Sequence, residues 1–381
     1  MSDVLQRCED LITDVDFTSI AAWKEAHQGG KVIGYFPVYA PAEIIHACGA
    51  LPVGLHGAGD RLDLQHADSR FGSFICSICK TTLELGLTRR LETFDGLLFT
   101  SICDVARNLC FVMKRNFPDK YIDFIHLPHN NPSDAAADFL AADYDRVRWE
   151  LWKLTGRHAD DDALRHAIEI YNVNRSLTND LYALRAGAPE LLSTLELYLL
   201  VRAGDLLPVE EHNGLLQNAL QRVPTSGRRR DSIRVVVEGA FCEQPPLDLI
   251  KLIEAAGCYI VEDDFTLGRR WFRHPISTEG PPLRALAEAY VHDAVYSSVR
   301  HDGERSRVDG LMEKVQRTKA DAVLSFIAKF CEPAYFDYVL FKRELERTGT
   351  PHLLLEFEEK LFTFDRMQME IETFVESLLF V

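Results

Sequence analysis

The chain has 381 residues, of which 47% are hydrophobic and 26% charged, an ordinary globular composition with room for two or three cores and no case for disorder. A formal charge of −16 argues against nucleic-acid binding as the main role, because neutralising phosphates needs a strongly basic face. No apolar run approaches the ~18–20 residues that cross a bilayer, and residues 1–30 carry charges throughout without a secretory apolar region, so a cytoplasmic protein without membrane partners is expected.

Residues 1–30 read as a helical preface, with apolar positions at helical spacing from Asp3 to His27 and a glycine stop at Gln28-Gly-Gly30. A first α/β domain follows over 31–133. Lys31 to Phe36 reads as a strand, Pro41 to Cys48 as a helix, Leu51 to Leu55 as a strand, and Gly57 to Arg70 as a polar surface loop. A helix opens near Cys76 and runs to about Gly86. The apolar run Asp95-Gly-Leu-Leu-Phe-Thr-Ser-Ile-Cys103-Asp104 then ends at a cysteine, passes into a helix over Val105 to Lys114, and is followed by a strand over Tyr121 to Leu127. Residues 134–230 show no strand. Tyr144 to Trp152, Ala163 to Leu184, Leu191 to Arg202 and Val209 to Leu220 read as helices, closed by the linker Val223-Pro-Thr-Ser-Gly-Arg-Arg-Arg230.

A second α/β domain spans 231–381. Its predicted parts are strands at Ile233 to Glu238 and Cys258 to Glu262, and helices at Leu247 to Ala256 and Glu304 to Lys319. A strand over Asp321 to Ala328 leads to Lys329-Phe-Cys331-Glu332-Pro333, then a helix over Tyr335 to Arg347, a strand at His352 to Glu356 and a last amphipathic helix from Asp365 to about Leu379. The expected fold is therefore α/β, with two parallel-sheet domains of flavodoxin or Rossmann type and a helical middle segment. In both halves an apolar strand ends at a cysteine followed by an acid, where open α/β sheets collect their ligands.

Nine cysteines in a reducing compartment, an odd number, do not suggest a disulfide framework. Cys8, Cys48, Cys110, Cys242 and Cys258 read as small core hydrophobes, the ordinary fate of a free thiol. Cys76 and Cys79 form a Cys-x-x-Cys that alone fits a redox pair, half a zinc site, or chance. Combined with the strand-end cysteines Cys103 and Cys331, one thiol at that helix start makes three that can converge in a cleft between domains, which is what an iron–sulfur cluster with one open corner needs. The ordinary alternative is that Cys103 and Cys331 are buried strand-end thiols. Nucleotide loops of the Gly-x-x-x-x-Gly-Lys and Gly-x-Gly-x-x-Gly types are absent, as are His-Glu-x-x-His and Gly-x-Ser-x-Gly. Arg228-Arg-Arg230 suits a solvated linker better than a phosphate site. Glu43 and His46, three apart on one helix face, are candidates for proton transfer, set against a plain role as surface or capping residues.

Five segments, Pro41 to Val53, Ile75 to Lys80, Thr100 to Asp104, Lys329 to Pro333 and Pro351 to Glu356, resemble in order the 2-hydroxyacyl-CoA dehydratase and ATP-dependent benzoyl-CoA reductase family. The resemblance spans nearly the whole chain. In length and in the Cys331 segment it is nearest the smaller of the reductase's cluster-bearing subunits. It implies a 4Fe-4S cluster held by three cysteines, which by motif fall on Cys76, Cys103 and Cys331; Cys76 is preferred to Cys79 because the family ligand stands four residues ahead of a lysine, here Lys80. It also implies a hetero-oligomer with a second cluster-bearing subunit, ATP-hydrolysing subunits that pass on single electrons drawn from ferredoxin, and an acyl-CoA substrate. The implied activity is an oxidoreductase reaction at the CH–CH group of an aromatic acyl-CoA, the two-electron dearomatisation of benzoyl-CoA to a cyclic diene thioester in anaerobic aromatic degradation. The alternative is a 2-hydroxyacyl-CoA dehydratase, which lends one electron and takes it back as water leaves through a ketyl radical.

Overall fold

The apolar runs of the first half become four parallel strands in a computed structural model that describes residues 1–272, 274–300, 306–358 and 363–379. They are β1 (Lys31–Tyr35), β2 (Ala50–Gly54), β3 (Gly96–Thr100) and β4 (Tyr121–Ile125), arranged β2-β1-β3-β4. β1, β2 and β3 are buried at almost every position, as expected of strands covered on both faces by helices. The second half repeats the order. β5 (Ile233–Glu238), β6 (Cys258–Asp263), β7 (Ala322–Ala328) and β8 (His352–Phe357) pair in parallel as β6-β5-β7-β8. The fold is α/β with two parallel sheets, and each sheet reverses its winding between its first and third strands. Such reversal points open a crevice beyond the strand ends.

Glycine makes one of these pairings possible. A side chain at Gly34 would come within 2.8 Å of Leu55, just after β2, and of Leu97 on β3, so the residue lets side chains of the neighbouring strands close over β1.

The helices between the sheets do not form a layer of their own. Ala136–Thr155 packs on the first core through Leu140, Tyr144, Val147 and Leu151. Asp161–Gly187, capped where Asp160 accepts the Ala163 N–H at 2.9 Å, runs past both: Leu164, Ala167 and Ile168 enter the first core, Leu181 and Tyr182 the second. Thr194–Arg202 and Val209–Arg222 belong to the second core, as does the N-terminal helix Ser2–Thr13, whose Cys8 is fully buried there.

Between β6 and β7 the sequence pattern predicts only one helix. The structure adds Leu267–Arg270, Pro282–Glu288 and a π-helical turn at Ala289–Asp293. The helix expected from Glu304 is Arg307–Thr318; Glu304 itself lies outside the described residues. No helix among the described residues is long and apolar enough to cross a membrane.

Candidate functional site

Three of the cysteines stand at the same kind of place, the first residue ahead of a helix. Cys103 follows β3 and is the N-cap of Asp104–Asn116, where its sulfur accepts the Ala106 N–H at 3.4 Å. Cys331 follows β7 and is the N-cap of Glu332–Thr348, whose Pro333 suits the first turn. Cys76 is the N-cap of Ser77–Leu87. Helix N-termini carry partial positive charge and favour thiolate over thiol. Phe330, just before Cys331, is held at φ 67°, a left-handed conformation that a bulky residue adopts at a cost and that turns the chain sharply off the strand end.

The loops bearing Cys76 and Cys331 meet. Phe74 and Phe330 pack edge to face with centroids 5.9 Å apart, although Phe74 is 80% exposed. The segment ahead of Cys76 is fixed from below by Glu84, a fully buried carboxylate on the same helix. It accepts the backbone N–H groups of Gln65, His66 and Ala67 at 2.7–3.2 Å. The polar stretch expected to be a surface loop is thus tied down, and Ala67 is fully buried.

Cys242 reads from sequence as a core hydrophobe, and the structure corrects this. It is half-buried, in the loop that leaves β5 through Gly239. The next residue, Glu243, is buried and accepts the Ile78 N–H at 3.3 Å, so a carboxylate of the second half caps the Cys76 helix of the first. Burial raises the Cys242 thiol pKa well above its ordinary range, and the neighbouring sulfurs of Cys331, Cys103 and Cys76 raise it further. Burial likewise pushes Cys103 up to about 11, with Cys76 adding to it, and lifts Cys331 with contributions from Cys76 and Cys103.

Cys79 differs from these four. It is 1% exposed and lies 3.6 Å from the Cys76 sulfur, and that thiol–thiol hydrogen bond is the first cause of its raised pKa. Cys8, Cys48, Cys110 and Cys258 are buried, in agreement with their reading as core thiols.

The half-buried thiols all pack against the first hydrophobic core, to which Ile78, Ile102, Phe241, Ile327 and Ala334 belong. Among the described residues no three histidine, cysteine, aspartate or glutamate side chains surround a point where a single metal ion would be held. An iron–sulfur cube takes its ligands on separate irons, so its sulfurs stand farther apart than donors to one ion. Soft thiolates from several loops over an apolar floor are the donor set such a cube takes. Gln244, two residues after Cys242, lines a cavity of about 420 Å³ together with, among others, His56, Arg61, Arg202 and Lys251.

Glu43 and His46 lie on the helix Ala42–Ala47 and point to the middle helices. Glu43 is 2% exposed and ion-paired with the buried Arg175, so it is not a surface or capping residue. His46 approaches Glu210 at 3.4 Å and Tyr171 edge-on, and burial lowers its pKa. Arg228, Arg229 and Arg230 are exposed on an irregular segment.

The family model described as 2-hydroxyglutaryl-CoA dehydratase, D-component, matches residues 37–378. The chain is 40% identical to a benzoyl-CoA reductase subunit of Thauera aromatica, over 99% of this chain and 98% of the relative. It is 29% identical to the (R)-phenyllactyl-CoA dehydratase beta subunit of Clostridium sporogenes, over 92% of each. With the lactoyl-CoA dehydratase beta subunit of Anaerotignum propionicum the identity is 28%, over 93% of each. The chain belongs to the 2-hydroxyglutaryl-CoA dehydratase D-component family, which its match along most of its length and its end-to-end identity with a reductase subunit both show.

Proposed function

We propose that this chain is a subunit of an ATP-dependent benzoyl-CoA reductase and holds a 4Fe-4S cluster through Cys76, Cys103 and Cys331. The observation that carries the reading is the 40% identity, over 99% of the chain, to a benzoyl-CoA reductase subunit, against 29% to a dehydratase subunit. When bound, the cluster supplies a one-electron carrier, whose potential in iron–sulfur proteins reaches down to roughly −700 mV, as breaking aromatic delocalisation demands.

The chain's own residues prepare the place. Three helix N-termini offset part of the cost of keeping thiolates in a half-buried crevice. The hydrophobic core against which the thiols pack limits water around the sulfurs. Glu243 holds the Cys76 helix against the second half. The partners follow from the same reading: a second cluster-bearing subunit, an ATP-hydrolysing pair fed by ferredoxin, and an acyl-CoA. Hydrolysis by a partner agrees with the lack of a nucleotide loop in this sequence. The setting is the cytoplasm of an anaerobically growing cell.

The test is purification without oxygen, iron and sulfide analysis, and turnover with the partner subunits. A cyclic diene thioester formed with net electron consumption supports the reductase. Loss of water from a 2-hydroxyacyl-CoA without net electron consumption would establish the dehydratase instead. Protein free of iron and sulfide would sink the cluster.

A further inference from the structure

The family resemblance implies three cysteine ligands, yet four thiols share one character here. Of the nine cysteines, Cys76, Cys103, Cys242 and Cys331 alone are half-buried; the other five are buried. The four also come in equal number from the two halves of the chain. Cys76 and Cys103 belong to the first sheet's helices, Cys242 and Cys331 to the loops after β5 and β7. β5 and β7 are adjacent strands, paired through Glu238 and Ser325, so these two loops leave the sheet side by side. Gly239, at φ +108°, sits where a side chain would strike the Phe326 carbonyl at 2.8 Å, and this close passage starts the Cys242 loop over the end of β7. From there Glu243 reaches the N-terminus of the Cys76 helix. The Cys242 backbone is therefore pinned on one side to the Cys331 strand and on the other to the Cys76 helix.

We infer that Cys242 is the fourth protein ligand of the cluster, closing the corner that three cysteines would leave open. The inference rests on the cluster reading above. Its chemical consequence is specific. A cube with four protein sulfurs has no iron free for a thioester carbonyl or water, so this protein passes electrons without binding substrate at iron, and reduction takes place on a partner. Cys79 is the rival for the same position. Its sulfur is sequestered in the core 3.6 Å from Cys76, whereas Cys242 is half-buried on a loop held between the Cys331 strand and the Cys76 helix.

The test uses the full-length chain, purified and reconstituted without oxygen, and reads the cluster itself by Mössbauer and electron paramagnetic resonance spectroscopy. Mild ferricyanide takes one electron from a cube with an open corner and releases one ferrous ion, leaving a three-iron cluster with its own resonance. The parent protein and Cys79→Ala should resist this conversion, while Cys242→Ala should make the three-iron signal dominant. Cys242→Ser, which keeps an oxygen ligand, should retain the cube with a shifted spectrum, and it decides the matter if the alanine variant does not fold. A parent protein that loses iron as readily as Cys242→Ala overturns the fourth ligand and leaves the three-cysteine reading standing, as does a Cys79→Ala variant that alone opens the corner. A parent protein with neither iron nor sulfide overturns both.

Discussion

At the carboxyl edge of the first sheet, the loop after β1 closes on aromatic rings. Tyr39 donates to Ser297 or accepts from it at 2.7 Å and packs edge-on against Trp271 and Tyr290, with Val38 and Tyr39 both at positive φ. At the matching edge of the second sheet, the loop after β5 brings a thiol and a carboxylate, Cys242 and Glu243, and the end of β6 is a run of buried acids. Each of those acids has a cation: Arg270 on Glu262 at 2.9 Å, Arg185 on Asp263 at 2.5 Å, and Lys314 on Asp264 at 2.7 Å. What the halves share is the central strand, which in each ends in a cysteine, an acid and a helix. The scaffold and its central thiol are duplicated, while the flanking loops have become an aromatic plug in one half and an ionic one in the other.

The sharpest way to break that equivalence is to remove the shared thiols one at a time. Cys103→Ala and Cys331→Ala should each lower iron and sulfide per chain and open the cube to loss of an iron, read by metal analysis and by resonance after mild oxidation; an intact cube in only one variant would show that the halves contribute unequally. Next in size are the buried ion pairs. Asp263→Ala, which strands Arg185, and Glu43→Ala, which strands Arg175, should each cost ~3–5 kcal/mol in urea unfolding. Equal losses would mean that both halves depend on such pairs despite their different edges.

Leu98→Ala in β3 and Leu324→Ala in β7, both fully buried, should cost ~2–5 kcal/mol each, and a large difference would reveal a looser core in one half. A smaller effect concerns pH. Burial, aided by Arg269, holds His212 at a pKa of about 3 against an ordinary 6.5. The unfolded chain therefore takes up a proton that the folded chain refuses. Stability complete above pH 6.5 is lost progressively as pH falls toward 3, and His212→Gln should flatten the fall in melting temperature across that window. Least of all, Phe74→Ser, at the exposed contact between the halves, should shift stability by less than ~1 kcal/mol.

Much of this is legible in the sequence. The strands announce themselves as short apolar runs ending at glycine, cysteine or acid, and β5 and the last helix fall where the pattern places them. The region after β6 is not legible, because Leu267–Arg270 and Pro282–Glu288 are too short to establish a helical period. Nor can local pattern show that Ser2–Thr13 packs on the second core, or that Glu43 meets a partner 132 residues away. Cys242 is misread from sequence because burial is the usual fate of a thiol. The signal is nonetheless present: Glu238-Gly-Ala-Phe-Cys242 is another strand that ends in a glycine turn just before a cysteine.

The hydrogen bond from Ile78 to Glu243 ties order of assembly to shape. Because one half supplies the carboxylate that finishes the other half's helix, parting the halves would bare that helix end and scatter the sulfurs in one movement. A cluster of the proposed kind would then enter only a chain that has already closed, and would act as a rivet between its two halves.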